Sequence, residues 1–143
     1  MRHLLIYANV KMRRPQAHQE TTPLSADACQ VDYVDEAKVA AVQPRMLSAD
    51  AAQQAAELLG AFADPTRLRL LHALSLSELC VCDLAHLVGR SMATTSRQLQ
   101  RLRHMGLVKY RAAGKLVYYS LASTWAKGLI HDAVRQLEGR EAA

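Results

Sequence analysis

The stretch ELCVCDLAHLVGRSMATTSRQLQRLRHMGLV, residues 78–108, has the pattern of two short helices joined by a glycine-containing turn. The first helix is predicted roughly from Cys82 to Val88 and ends at Gly89, because glycine is common just past a helix C-terminus. The second is predicted roughly from Ser91 to Met105 and ends before a further glycine. Two short helices with this spacing indicate a helix-turn-helix motif.

Two further helices are predicted upstream of this motif. Apolar residues recur at helical spacing over 52–62, and Asp50 and Gln53 are placed like a capping box. The next helix restarts after Asp64, a favourable N-cap, with Pro65 at its first position. Its buried side is predicted to carry Leu68, Leu71 and Leu74.

The sequence downstream changes from helical to alternating periodicity. Residues 108–121 alternate apolar and polar side chains around AAGK, which predicts a β-hairpin whose turn uses Gly114 at positive φ. A closing amphipathic helix follows. The predicted fold is therefore mainly α with a β-hairpin wing, a winged helix-turn-helix. The apolar stripe of the closing helix is predicted to pack in a dimer interface with the helix near 51–62; its members are Ala126, Leu129, Ile130, Ala133, Val134 and Leu137.

The composition limits the classes of function. The 143 residues carry a formal charge of +5, which favours a nucleic-acid partner, and no apolar run is long enough for a membrane span. We expect a cytoplasmic protein with a flexible arm over 1–45 and a winged helix-turn-helix domain over 46–143. Three cysteines is an odd number, which argues for reduced thiols available to metal or redox chemistry.

The second helix of the motif is predicted to read double-stranded DNA. With Leu99 at the centre of its buried face, Met92, Thr95 and Leu102 fall beside it. The opposite face carries cations, an amide and hydroxyls, the side chains that bind base edges and phosphates. The candidate DNA-binding residues on and beside this helix are Arg90, Thr94, Arg97, Gln98, Arg101 and His104, and those on the hairpin are Arg111 and Lys115.

Cys80 and Cys82 are candidate metal ligands at the entrance of the first helix. Residues i and i+2 of a regular helix point about 200° apart. At a helix entrance, where Cys80 has non-helical dihedrals, the two thiols can converge. The helix dipole there favours the thiolate form, which binds metal. The alternative is two buried cysteines that act as small hydrophobic residues.

Four motifs, FADPTRLRLL, ELCVCDLAHLVG, TSRQLQRLRHMGLV and GKLVYYSL, resemble the ArsR/SmtB family of winged-helix metalloregulatory repressors. The stretch ACQVDYVDEAKVAAVQ resembles the arm of the CadC-like, cadmium- and lead-responsive branch. The resemblance implies a homodimer that binds operator DNA without metal and is released by a bound ion. It further implies that Cys29, on the arm of one protomer, completes the cysteine site of the other.

Two departures from the family pattern bear on the choice of metal. The arm's second cysteine is replaced by Tyr33, and the arsenic branch's third cysteine by Ala85. Three thiolates suit Cd(II) or Pb(II), which we rank above As(III) and Zn(II) as inducers, and no organic cofactor is expected. The positions that match a second family site on the closing helix hold no credible ligand set, so that site is predicted to be absent; they are Ser123, Trp125, Gln136 and Gly139.

Three other functions compete with a metal-responsive repressor. An enzyme would use Cys80 or Cys82 as a nucleophile or redox thiol, but we do not identify a catalytic histidine and aspartate set around them in the sequence. A repressor that senses thiol oxidation would use the same cysteines without metal. A nucleoid protein would coat DNA with little preference for an operator. We expect a regulator and not an enzyme.

Overall fold

A computed structural model describes residues 28–141, which divide into one unit up to Arg45 and a second from Met46. In the first unit, helix α1 spans Glu36–Val42 and is followed by a 3-10 turn, Gln43–Arg45. The Asp35 carboxylate caps α1 by accepting a hydrogen bond from the backbone N–H of Lys38 at 3.1 Å. This helix was not predicted within the arm. The rest of the predicted flexible arm, residues 1–27, lies outside the described residues.

The second unit is a winged helix-turn-helix, mainly α with a β-hairpin wing, as predicted. Its elements are α2 (Ala49–Gly60), α3 (Pro65–Leu76), β1 (Leu79–Cys80), α4 (Val81–Val88), α5 (Met92–His104), β2 (Val108–Ala113), β3 (Leu116–Leu121) and α6 (Thr124–Glu141). Helices α4 and α5 form the helix-turn-helix, and strands β2 and β3 form the wing.

The helix starts show why these segments fold locally. Ser48 is the N-cap of helix α2, and its hydroxyl accepts a hydrogen bond from the Ala51 N–H, so the predicted capping box at Asp50 and Gln53 was wrong. Asp64 caps α3 as predicted and accepts from the Arg67 N–H at 2.9 Å. This hydrogen bond, with the nearby guanidinium charge, lowers the pKa of Asp64 despite partial desolvation.

The core of the second unit lies between α3, α4, α5, the sheet and α6. In α3 the fully buried leucines are Leu70, Leu71 and Leu74, so Leu71 and Leu74 are buried as predicted. Leu68 packs half-buried against the same core, and Leu70 was not predicted. The inner face of α5 is buried and consists of Thr95, Leu99 and Leu102. The side chains with almost no exposure are Leu70, Leu71, Leu84, Leu99, Leu102, Leu107, Ile130 and Thr95.

The sheet has three strands in the order β1-β3-β2, all antiparallel. The wing hairpin turns at Gly114 and Lys115, and Gly114 takes φ 59°, as predicted. Strand β1 was not predicted. Its two residues pair with β3, Leu79 with Tyr119 and Cys80 with Tyr118, so the wing is joined to the entrance of α4.

The apolar stripe of α6 is only partly used inside the chain. Ala126 and Ile130 are buried in the core, but Leu137 is 58% exposed. On α2, Leu59 is also about half exposed, and the rings of Phe62 and Trp125 meet edge to face at 5.5 Å. Within residues 28–141, no helix has the length and apolar character that a membrane crossing requires.

Candidate nucleic-acid interface and cysteine site

Helix α5 is placed by a tight turn from α4. Gly89 takes φ 65° at the end of α4, and the N–H of Arg90 reaches back to the Ala85 carbonyl at 3.1 Å. Ser91 then caps α5 by accepting from the Thr94 N–H. A residue with a Cβ would be strained at that φ, so glycine makes the sharp change in helix direction accessible.

The outward face of α5 carries a basic stripe, defined by Arg97, Arg101 and His104 at spacings of four and three residues. These three side chains line an open cleft of roughly 720 Å³ between α5 and the end of α2. Glu57 of α2 lines the same cleft, a carboxylate that we did not single out from the sequence. The stripe is therefore solvent-accessible and mainly positive.

The other predicted DNA-binding residues on and beside α5 have varied surroundings. Arg90 is exposed, and Met92, predicted on the buried face, is 49% exposed. Thr94 is half-buried. Its hydroxyl oxygen accepts hydrogen bonds from the Ser91 hydroxyl at 2.9 Å and from Nη2 of Arg97 at 3.4 Å. The Gln98 side-chain oxygen is buried with no hydrogen-bond partner among the described residues. The structure thus brings Arg97, Arg101 and His104 together and turns Gln98 partly inward.

On the wing, Lys115 lies exposed in the hairpin turn, while Arg111 is held by a carboxylate. Its Nε and Nη2 donate to Glu78 at distances of 2.6–3.1 Å, and its guanidinium lies over the Tyr118 ring, 4.6 Å from the centroid. The ion pair lowers the pKa of Glu78 and raises that of Arg111. Glu78 lies 33 residues away in sequence, so no local signal predicted this contact.

Arg103 is a further residue that the sequence did not single out. Its guanidinium lies over the Tyr110 ring at 4.8 Å, and Tyr110 in turn packs against Tyr119 at 5.9 Å. Tyr110 lies on β2 and Arg103 on α5, so this contact links the wing to the helix. At about 100° per residue, Arg103 lies on a different side of α5 from the basic stripe. This angular position is the sequence signal that could have distinguished it from the stripe residues.

The cysteine pair lies where β1 meets α4. Cys80 has extended dihedrals, φ −77° and ψ 163°, at the N-cap position, in agreement with the expected non-helical entrance. Its thiol is 7% exposed and donates to the Asp83 carboxylate at 3.1 Å, whereas Cys82 is exposed. The hydrogen bond to Asp83 is the largest cause that raises the pKa of Cys80, opposite to the expected effect of the helix dipole.

Two sulfurs and a neighbouring carboxylate are a donor set that soft and borderline metal ions accept. Among residues 28–141, however, no three His, Cys, Asp or Glu side chains are already grouped to hold a metal ion. Cys29, the third predicted ligand, is exposed in the first unit. The residues at the entrance therefore fit part of a metal site and need a donor from elsewhere to complete it.

Comparisons with known proteins identify the family. The model of bacterial regulatory proteins of the arsR family matches residues 64–110, from the α3 cap to β2. A transcriptional repressor SmtB homolog of Synechocystis is 46% identical over 77% of this chain and 83% of its own length. The chain belongs to the ArsR family.

Two further matches refine this assignment to the ArsR/SmtB regulators. A cadmium resistance transcriptional regulatory protein CadC homolog of Staphylococcus aureus is 40% identical, over 84% of this chain and 98% of that protein, which supports the CadC-like branch. The AntR antimony-specific transcriptional repressor has a TM-score of 0.63 at 30% identity, covering 81% of this chain and all of its own. The expectation of a transcriptional regulator rather than an enzyme is confirmed.

A solved homodimeric relative is also similar in fold. The winged helix-turn-helix DNA-binding domain Mb0332 of Mycobacterium bovis gives a TM-score of 0.55 at 31% identity. The match covers 68% of this ArsR-family chain and 90% of the Mycobacterium domain.

Proposed function

We propose that this ArsR-family protein is a metal-responsive transcriptional repressor that binds operator DNA and releases it when a soft heavy-metal ion binds cysteine thiolates. The single observation that carries the proposal is the position of Cys80 and Cys82 at the junction of β1 and α4. One side of this junction leads into the helix-turn-helix and the other pairs with the wing. A ligand held there acts on both DNA-contacting elements.

The proposed DNA surface consists of the basic stripe of α5 and the wing. Arg97 and Arg101 are exposed cations on one helix face, which suits major-groove bases and adjacent phosphates. Lys115 at the wing tip suits the backbone beside the groove. The other residues proposed for this surface are Arg90, Thr94, Gln98, His104 and Arg111.

We propose that the repressor is a homodimer through α2 and α6. Leu59 and Leu137 are large apolar side chains left about half exposed on these helices, and exposed apolar surface of this kind marks interaction sites. The Mycobacterium relative is homodimeric, which supports dimerisation of this chain. Two-fold symmetry would place two α5 helices about one DNA turn, or a multiple of it, apart.

The inducer is proposed to be Cd(II) or Pb(II), bound by Cys80 and Cys82 together with Cys29 from the arm of the partner protomer. Three sulfur donors favour these ions, and the similarity to the cadmium-resistance regulator supports the choice. As(III) is the second candidate, because three sulfur donors also suit this ion. Zn(II), which prefers four ligands, ranks lower. We place the protein in the cytoplasm, where such a repressor meets its operator.

The test is DNA affinity of the reduced protein with and without metal. A labelled duplex from upstream of its own gene should bind more tightly than a scrambled duplex of equal length, and Cd(II) or Pb(II) should weaken that binding. Cd(II) should also produce an ultraviolet thiolate-to-metal band. Cys80→Ser or Cys82→Ser should abolish both effects, whereas Cys29→Ser should keep a weaker site that signals poorly.

Two control arms separate the alternatives. Peroxide without metal should leave DNA affinity of the proposed metal sensor unchanged, whereas a thiol-oxidation sensor would release DNA. Equal binding to the scrambled duplex would indicate a nucleoid protein. If Cd(II), Pb(II) and arsenite all leave operator affinity of the reduced protein unchanged, the metal-responsive proposal is wrong.

A further inference from the structure

The candidate metal ligand Cys80 and the candidate DNA contact Arg111 lie in one row across the sheet. Cys80 pairs with Tyr118 on β3, and Tyr118 pairs with Arg111 on β2. Directly paired residues of antiparallel strands place their side chains on the same face of the sheet. The guanidinium of Arg111 lies 4.6 Å from the Tyr118 ring centroid, so Arg111 is in contact with the middle residue of this row.

Glu78 adds a second link between the same two places. It precedes Cys80 by two residues, and its carboxylate accepts from Nε and Nη2 of Arg111 at distances down to 2.6 Å. A guanidinium has five N–H groups, and these bonds occupy only its Nε edge. The edge formed by Nη1 and the remaining Nη2 proton stays available, and it has the geometry that binds a phosphate with two parallel hydrogen bonds.

The Glu78–Arg111 ion pair fixes the orientation of the arginine side chain more than it stabilises the fold. Both side chains are partly exposed, with 56% of the Arg111 side chain and 39% of the Glu78 side chain accessible, and ion pairs in water stabilise folds little. A free arginine side chain would lose rotamer entropy each time it bound DNA. Held between a carboxylate and a ring, Arg111 is already restricted, so its free edge keeps one direction.

We propose that Glu78 is a positioning residue that makes the orientation of Arg111 depend on the conformation of the Cys80–Cys82 entrance. The inference rests on the proposed function and deepens it. Two extended residues span roughly 7 Å, so a shift of Cys80 displaces Glu78 with it. Hydrogen bonds at these distances are lost beyond about 3.5 Å, so a shift on the order of 1 Å releases the arginine. The Glu78–Arg111 ion pair, which we call the clamp, thus carries part of the coupling between metal binding and the wing.

The experiment compares the reduced parent with Glu78→Gln, Arg111→Lys and Asp132→Asn. The last variant removes one negative charge from a side chain that is 80% exposed on α6, and it matches the charge change of Glu78→Gln. For each protein, anisotropy gives the dissociation constant for the operator duplex without metal and with Cd(II), and absorbance gives the thiolate-to-metal band. The parent should bind DNA about 5- to 150-fold more weakly with Cd(II).

Glu78→Gln should keep the thiolate-to-metal band and the Cd(II) affinity of the parent. The factor by which Cd(II) raises its dissociation constant for the operator duplex should fall below a third of the parent's factor. Arg111→Lys keeps the charge without the fork and should show the same loss of response. Asp132→Asn should respond like the parent. Without metal, Glu78→Gln should bind DNA more weakly than Asp132→Asn although both have the same net charge, because the orientation of Arg111 is lost.

Three results would overturn the inference. A parent-like response in Glu78→Gln would show that the clamp carries no coupling. Loss of the band in that variant would place Glu78 in the metal site itself. Metal-free DNA binding equal to or tighter than that of Asp132→Asn would show that Glu78 restrains Arg111 without orienting it. Failure of the proposed function is distinct, because then the parent itself shows no Cd(II) response and the inference falls with it.

Discussion

Replacing Lys115 by alanine tests whether the wing tip lies on the DNA backbone. Lys115 occupies the turn between β2 and β3, where it is exposed and next to Gly114. In a dimer the substitution removes one cation from each of two wings. Each phosphate contact contributes about 0.9 to the slope of log affinity against log salt, so the slope should become shallower by about 1.8.

This slope difference sets the size of the effect to be measured. Between about 50 and about 200 mM salt, a slope change of about 1.8 alters the ratio of parent to variant affinity by about 12-fold. Fluorescence anisotropy with the operator duplex at four salt concentrations would measure it. Lys127→Ala, which removes an exposed lysine near the start of α6, is the matched control and should keep the parent slope. Parallel salt dependences for Lys115→Ala and the parent would refute the placement of the wing.

The remaining predictions concern base reading, assembly and acid stability. Arg97→Ala should weaken operator binding by about 1–3 kcal/mol and relax the preference at one base position, and a parent-like competition titration with single-base variants would contradict this. Leu137→Glu should shift the dimer toward monomer in sedimentation at micromolar concentration, whereas Leu76→Glu, at an exposed leucine on α3, should not; a monomeric parent would show that the assembly is wrong. Asp64 has a lowered pKa, so its contribution to stability is complete above the ordinary value of 3.8 and is lost as pH falls through the folded value. Asp64→Asn should therefore flatten the acid limb of a circular-dichroism unfolding profile, and an unchanged limb would assign the acid sensitivity to other groups.

The sequence predicted the elements that local signals define. Asp64 before Pro65, Gly89 after α4 and Gly114 in the hairpin each act within a few residues, and the structure has them in these roles. Helix α1 carried the same kind of signal in Asp35, but seven residues are too few to show a sustained period.

Contacts between distant segments could not be predicted in the same way. Strand β1 has two residues and exists because β3 pairs with it, and the Glu78–Arg111 ion pair joins residues 33 positions apart. The candidate cysteine site is a mixed case. The extended backbone of Cys80 followed from its place before α4, but the hydrogen bond to Asp83 depends on the side-chain directions that packing imposes.

The strand order β1-β3-β2 leaves β2 at the margin of the sheet in the described part of the chain. The outward backbone groups of such an edge strand can pair with another molecule, which is a common route to aggregation. Lys109 and Arg111 are exposed along this strand, and charged side chains on an edge oppose that pairing through repulsion and hydration. The cations of β2 thus oppose edge-to-edge pairing of two wings, and a wing neutralised to study DNA contacts is expected to aggregate more readily.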